Sequence, residues 1–297
     1  MDSDHVFSLL SVKDGMTDQR YFVGRQQDVS SLSGCYCLDQ RSFAWVHGPR
    51  RIGKSSLAQV IMDKAEKNNT QVLWVDAIDI EPPNFTCLLE RVLAFAEPWM
   101  KPAGSTLKKR FENLVKTSNI KPILMVFDEF DRVALNLCME EQVFFRRMAQ
   151  QYRGWCCLFI SRLPPQGIVE EVTDANSRLL GICNQHLVRP LERRDVKDFC
   201  RRVAEDLGQK DLEDLHVDIR KAVGGFPVAV AAALKSLAIA ITMRENPEDE
   251  LDANEIIAKS AVGVSMELEG YWSSLSPVTR SVLLGGARKR QGAVSQG

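Results

Sequence analysis

An excess of charge of either sign is missing from this chain: 38 lysines and arginines face 39 aspartates and glutamates, leaving a net charge of -1. The chain as a whole therefore carries no basic footprint for nucleic acid, and local patches are all that charge allows. Cysteine pairs are missing too. The eight cysteines are scattered without a C-x-x-C, and the one C-x-x-H, Cys183 to His186, has no second ligand pair at zinc spacing. That excludes a disulfide scaffold or a zinc ribbon and implies reduced thiols in a cytoplasmic protein. The opening MDSDHVFSLL lacks the basic start, long apolar centre and small-residue cleavage site of a secretory leader. Internal repeats and low-complexity linkers are likewise absent. One long apolar run exists, FPVAVAAALKSLAIAITM at 226–243, with Lys235 as its single charge. Five of its first eight residues are alanine or proline, and a central lysine costs roughly 2.5–3.5 kcal/mol on insertion, so it reads as a buried soluble helix and no membrane partner is expected.

What is present is an ordinary globular composition, 45% hydrophobic and 26% charged over 297 residues, enough for more than one domain. Continuous apolar runs at 43–46, 71–77, 122–130, 155–161 and 185–190 alternate with helical patterns near 54–68, 84–97, 104–118, 136–151 and 165–180. Hydrophobicity without alternation marks strands covered on both faces, the condition of a parallel sheet flanked by helices. After Pro190 the strands stop. Val196, Phe199, Cys200, Val203 and Leu207 fall at helical spacing before Gly208, and further helices are expected at 211–223, 226–244, 252–270 and 276–287. The predicted organisation is a nucleotide-binding α/β domain over 1–190, a helical lid over 191–270, and an incomplete final segment over 271–297.

Between the first strand and the first helix lies HGPRRIGKSS. Gly48 and Gly53 frame four residues and are followed by Lys54 and Ser55, the spacing G-x-x-x-x-G-K-S. A loop so built lets backbone amides approach a polyphosphate. Gly48, Pro49, Arg50, Arg51, Ile52, Gly53, Lys54, Ser55 and Ser56 are the expected phosphate-binding stretch, with Lys54 neutralising charge and the Ser55 hydroxyl on magnesium. About 75 residues on, ILMVFDEFD ends a strand on Asp128 and Glu129. Both motifs emerge at the carboxyl edge of the sheet, where open α/β sheets bind ligands. Asp128 is expected to hold the metal, largely through water, and Glu129 to polarise the attacking water. A third strand ends on Ser161-Arg162, from which a cation can reach a terminal phosphate.

The order F-V-G-R, G-P-R-R-I-G-K-S-S, hydrophobic-D-E, strand-S-R and G-F-P resembles the signal-transduction ATPases with numerous domains, the STAND class of the AAA+ group, over roughly 20–285. The resemblance implies a P-loop core with an additional strand and sheet order 5-1-4-3-2, a helical lid, and ATP or ADP with Mg2+ as cofactors. It implies that Val23, Gly24 and Arg25 contact the adenine end, that Pro227 packs on the base from the lid, and that Arg162 senses phosphate. LSPVTRSVLLGGARKR resembles the first helix of a winged-helix module, and the chain ends at Gly297 before such a module would be complete. A trans-acting arginine is not assigned: Arg146, Arg147 and Arg178 are candidates by placement alone, and the basic ARKR at 287–290 reads as a solvated helix end.

The leading expectation is an ATPase switch, slowly hydrolysing, that couples nucleotide state to conformational change or to assembly with itself or a protein partner. The alternative is a nucleic-acid-remodelling AAA+ ATPase of the replication or transposition loader type. A binding module without turnover is a third reading, against which an intact Glu129 argues. No acceptor pocket of a small-molecule phosphotransferase is announced.

Overall fold

A computed structural model of the chain describes residues 19–37, 42–98, 103–165, 179–244 and 252–260, with isolated positions at 6, 10 and 168. Five strands form one parallel sheet: β1 (Phe43–His47), β2 (Gln71–Asp76), β3 (Ile123–Asp128), β4 (Trp155–Ser161) and β5 (Cys183–Leu187). Its order is β2-β3-β4-β1-β5, which is the expected 5-1-4-3-2 read from the other edge. Every residue of β3 and β4 is buried, as their unbroken apolar sequences require of strands covered on both faces.

Helices α1 (Gln26–Ser31), α2 (Lys54–Lys67), α3 (Phe85–Ala96), α4 (Leu107–Lys116), α5 (Asp131–Ala134) and α6 (Met139–Gln151) surround the sheet. Their starts are set by local chemistry. Asn84 accepts a hydrogen bond from the Cys87 amide and Thr106 one from the Lys109 amide, so α3 and α4 begin at 85 and 107, inside the expected 84–97 and 104–118. β5 lies two to three residues earlier than the run at 185–190, because it ends where its partner does, His47 of β1 opposite Leu187. The expected helix over 165–180 falls almost wholly outside the described residues, as does Arg178.

Beyond β5 come α7 (Arg193–Leu207), α8 (Asp211–Asp214), α9 (His216–Val223) and α10 (Pro227–Thr242). The single helix expected at 211–223 is two, divided at Leu215. The apolar run at 226–243 is α10, with Val228, Val230, Leu234 and Leu237 in a protein core. Among the described residues no helix is long and apolar enough to cross a membrane. Residues 253–260 are helical, while 261–297, with the winged-helix resemblance and the ARKR stretch, lie outside the described residues.

The interior falls into two clusters. One fills the sheet layers and centres on aromatic rings, among them Phe127 stacked on Phe159 with centroids 5.5 Å apart. The other lies among α7 to α10 and also contains Tyr21 and Val23, from the opposite end of the chain. Phe226 packs against both.

Candidate nucleotide site

The loop from Gly48 to Gly53 runs from the end of β1 into the start of α2. Gly53 sits at φ 94°, a left-handed turn that points the first amides of α2 into the loop, and Arg51 also has positive φ, 62°. The Lys54 ammonium is folded back beneath the loop, donating to the carbonyls of Gly48 and Pro49 at 2.9 Å each. It is 8% exposed. Burial pushes its pKa down, against the pull of the Glu129, Asp128 and Asp131 carboxylates. A buried cation that gives two of its three donors to carbonyls is suited to exchange them for anionic oxygens.

Opposite Lys54, the Ser55 hydroxyl donates to Asp128 Oδ2 at 2.8 Å, across from α2 to the end of β3. Burial raises the Asp128 carboxyl above its usual range, and the bonds from Ser55 and from the Glu129 amide oppose that shift. Among the described residues no three His, Cys, Asp or Glu side chains come together as a metal cage. A hydroxyl beside one carboxylate suits instead a hard ion such as magnesium, which keeps waters and phosphate oxygens in most of its positions.

Glu129 leaves β3 in a left-handed conformation, φ 46°. Its pKa is raised, by burial first and by the nearby Asp131 charge second, with Arg162 and Lys54 opposing. Arg162, just past β4, brings its Nε to 3.4 Å from Glu129 Oε2 and 3.2 Å from Asp131 Oδ2. Ser161 turns the other way: it accepts from Trp45 Nε1 at 2.8 Å and donates to the Leu163 carbonyl at 2.6 Å, pinning the strand end.

Beyond the loop a cleft is lined by Tyr21, Phe22, Val23, Arg25, Gly53, Ser56, Leu191, Phe199 and Pro227. Five of these nine were expected at the nucleotide from the sequence: Val23, Arg25, Gly53, Ser56 and Pro227. Gly24 turns instead against the start of α7, where a Cβ would stand 2.3 Å from Asp195 Cγ. Arg25, 5% exposed, spends its donors on protein, on the carbonyls of Ile52 and Arg189 and on Asp28. Arg50 and Arg51 are exposed at the loop, and Ile52 is buried beneath it. Arg146 and Arg147 lie on α6. Sequence reasoning missed Tyr21, Phe22, Leu191 and Phe199 as cleft walls. Phe199 carried only the signal of a core-facing helical position.

The family model described as an ATPase domain predominantly from Archaea matches residues 22–233. No curated protein matches the chain. Among solved structures, a Walker-type ATPase of Pyrococcus abyssi superposes with a TM-score of 0.64 at 15% identity, covering 89% of this chain and 79% of that one. The ORC2 protein of Aeropyrum pernix, in ADPNP-ADP complexes, gives 0.60 at 15% identity over 83% and 72% of the two chains. A structure of Drosophila ORC bound to DNA gives 0.57 at 13% over 93% and 71%. At such identities these likenesses speak for the fold alone, the parallel sheet flanked by helices of P-loop ATPases.

Proposed function

The chain belongs to the family of ATPase domains found predominantly in Archaea, and from that premise we propose that it binds Mg-ATP between its sheet edge and its C-terminal helices and hydrolyses it. The observation that carries this reading is the joint placement of Lys54, Ser55, Asp128 and Glu129 at one sheet edge, with Ser55 bonded to Asp128 across 73 positions of sequence. Phosphate oxygens replace the Gly48 and Pro49 carbonyls as partners of Lys54, while the loop amides and the start of α2 surround the polyphosphate. Ser55 and Asp128 hold the magnesium, which when bound neutralises charge on the phosphates. Arg162 moves from Glu129 to the terminal phosphate, and Glu129, released, accepts a proton from the attacking water. Val23, Gly24 and Arg25 with Pro227 form the base end: Val23 and Pro227 as walls, Gly24 and Arg25 through the backbone they hold.

The hydrolysis serves motion of the helices after 190. We assign 1–190 to the nucleotide-binding domain and 191–270 to the lid, with Tyr21 and Val23 anchored in the lid's core, and 271–297 to the start of a further module. Of the two outputs, work on nucleic acid is favoured by a local charge asymmetry. Helix α4 carries Lys108, Lys109, Arg110 and Lys116 against Glu112 alone, and Lys108 and Arg147 converge over the Phe144 ring. Structures of the same fold include ORC proteins bound to DNA. The STAND-type switch, with self-assembly or a protein partner as its output, rests on F-V-G-R and G-F-P. Free thiols at all eight cysteines fit work in the cytoplasm. Hydrolysis measured with and without duplex DNA separates the two: stimulation by DNA is expected, and an unchanged rate together with a nucleotide-dependent change in particle mass would favour the switch. No hydrolysis at all under either condition would defeat the enzymatic reading.

A further inference from the structure

One guanidinium joins three separate parts of this molecule. From the entry to α1, Arg25 Nη2 donates to the Ile52 carbonyl inside the phosphate loop at 2.8 Å. Its Nη1 donates to the Arg189 carbonyl at 2.6 Å, in the connection that leads from β5 to α7. The same Nη1 is 3.2 Å from Asp28 Oδ2, one turn along. Asp28 is itself held from the far side, its Oδ1 2.9 Å from Nε2 of His186 on β5. Burial alone would push the Asp28 carboxyl up, but His186 and Arg25 outweigh it and hold it below the usual carboxylate range. The neighbouring turn is fixed to the other body. Gly24 rests on Asp195 at the start of α7, and the Tyr21 hydroxyl donates to Asp206 Oδ2 at 2.6 Å near its end.

Resting on the ATP-site reading above, we infer that Asp28 is a positioning residue. It aims the Arg25 fork at the phosphate loop and at the connection from β5 to α7 together, so that this connection acts as a hinge and filling the loop with phosphate shifts the C-terminal helices with no contribution from the base. The geometry uses a fork: two carbonyls from different segments are reached by the two nitrogens of one planar group, whose fixed directions an ammonium on a flexible stem lacks. It also requires an anchor, because an arginine bonded only to two carbonyls would follow either of them if it moved rather than link them. Asp28, tied to strand β5 through His186, supplies that anchor. Coupling of this kind is a difference in free energy between two states of the hinge, and typical values correspond to ~5- to 150-fold in affinity.

The test uses the full chain and inorganic triphosphate with magnesium, a probe that reaches the loop and leaves the base end empty. Peptide-resolved hydrogen exchange is followed at the loop, 48–56, and at the hinge and helix starts, 188–196 and 224–230. In the wild type, triphosphate slows exchange at both. In Asp28→Asn it slows the loop and leaves the hinge at its ligand-free rate, while the affinity ratio for adenosine with and without triphosphate falls toward one. Arg25→Lys gives the same separation with the positive charge retained, and it stands as the deciding variant if Asp28→Asn does not fold. Asp28→Glu, which keeps a carboxylate for Arg25, restores part of the hinge response. Hinge slowing of wild-type size in Asp28→Asn, or in Arg25→Lys, overturns the inference while leaving the phosphate site standing. Triphosphate that slows neither region of the wild type removes the phosphate site and the inference with it.

Discussion

The two ends of the cleft are built on opposite principles. At the phosphate end, Lys54, Ser55, Asp128, Glu129 and Arg162 all hang from one sheet edge and one core, and they are already bonded to one another or to the loop. At the base end, Val23, Leu191 and Phe199 belong to the core among α7 to α10 while Phe22 packs against the sheet core, and what they and Pro227 offer is apolar surface. Charges held by a rigid sheet keep their mutual distances when the C-terminal helices move. Apolar walls contributed by two bodies do not. The phosphate end is thus suited to chemistry, and the base end to report, by its width, whether a nucleotide is in place.

The most drastic way to break this contrast is to remove the cation of the rigid end. Lys54→Ala should abolish nucleotide binding. Wild-type protein at ~100 times the dissociation constant should gain about 2.7 kcal/mol of stability, and a melting curve of the variant should not move with Mg-ATP. Next in size is Glu129→Gln, which keeps the shape of the site and its ligand but cannot take up a proton. Turnover should fall ~10²- to 10⁴-fold with binding nearly unchanged, read by hydrolysis against titration calorimetry. Equal losses in both would make the rigid end one indivisible unit and spoil the separation of binding from chemistry.

The base end should respond more gently. Gly24→Ala places a Cβ 2.3 Å from Asp195 Cγ at φ +67°, so the turn must shift or α7 must yield. A loss of about 1–3 kcal/mol in denaturant unfolding is expected, with weakened ATP and little change in the affinity for inorganic triphosphate. Pro227→Ala is the mildest: about 0.4–1 kcal/mol from greater freedom of the unfolded chain, plus a lost wall for the base. ATP should suffer and triphosphate should not. If both ligands weaken alike, Pro227 is a helix start and nothing more.

The same contrast governed what could be read from the sequence. The rigid end is local in the chain: G-x-x-x-x-G-K-S is eight consecutive residues, and D-E follows an apolar run whose end fixes its place at the sheet edge. Sheet order followed from the resemblance these motifs carry. The base end is written in residues that look like ordinary core. Nothing about Phe199 or Leu191 distinguishes a cleft wall from a packed helix face, because that difference lies in which body stands opposite. Arg25 was legible as important through F-V-G-R, but its three partners at 28, 52 and 189 are set by tertiary approach. Likewise Ser161 reads as a polar strand end until Trp45 of the neighbouring strand is seen to donate to it.

The bond from Tyr21 to Asp206 spans 185 positions. On a ribosome adding about 5–20 residues per second, Tyr21 and Val23 emerge roughly 10–40 s before the helices that cover them. The sheet is complete only near the end of that interval, once Leu187 is out, and until α7 to α10 follow, Tyr21 and Val23 lack the core that buries them. The nascent chain therefore passes through a stage in which the five strands are out and the segment around Tyr21 and Val23 is still uncovered, a window in which a chaperone or a protease would find its handle there.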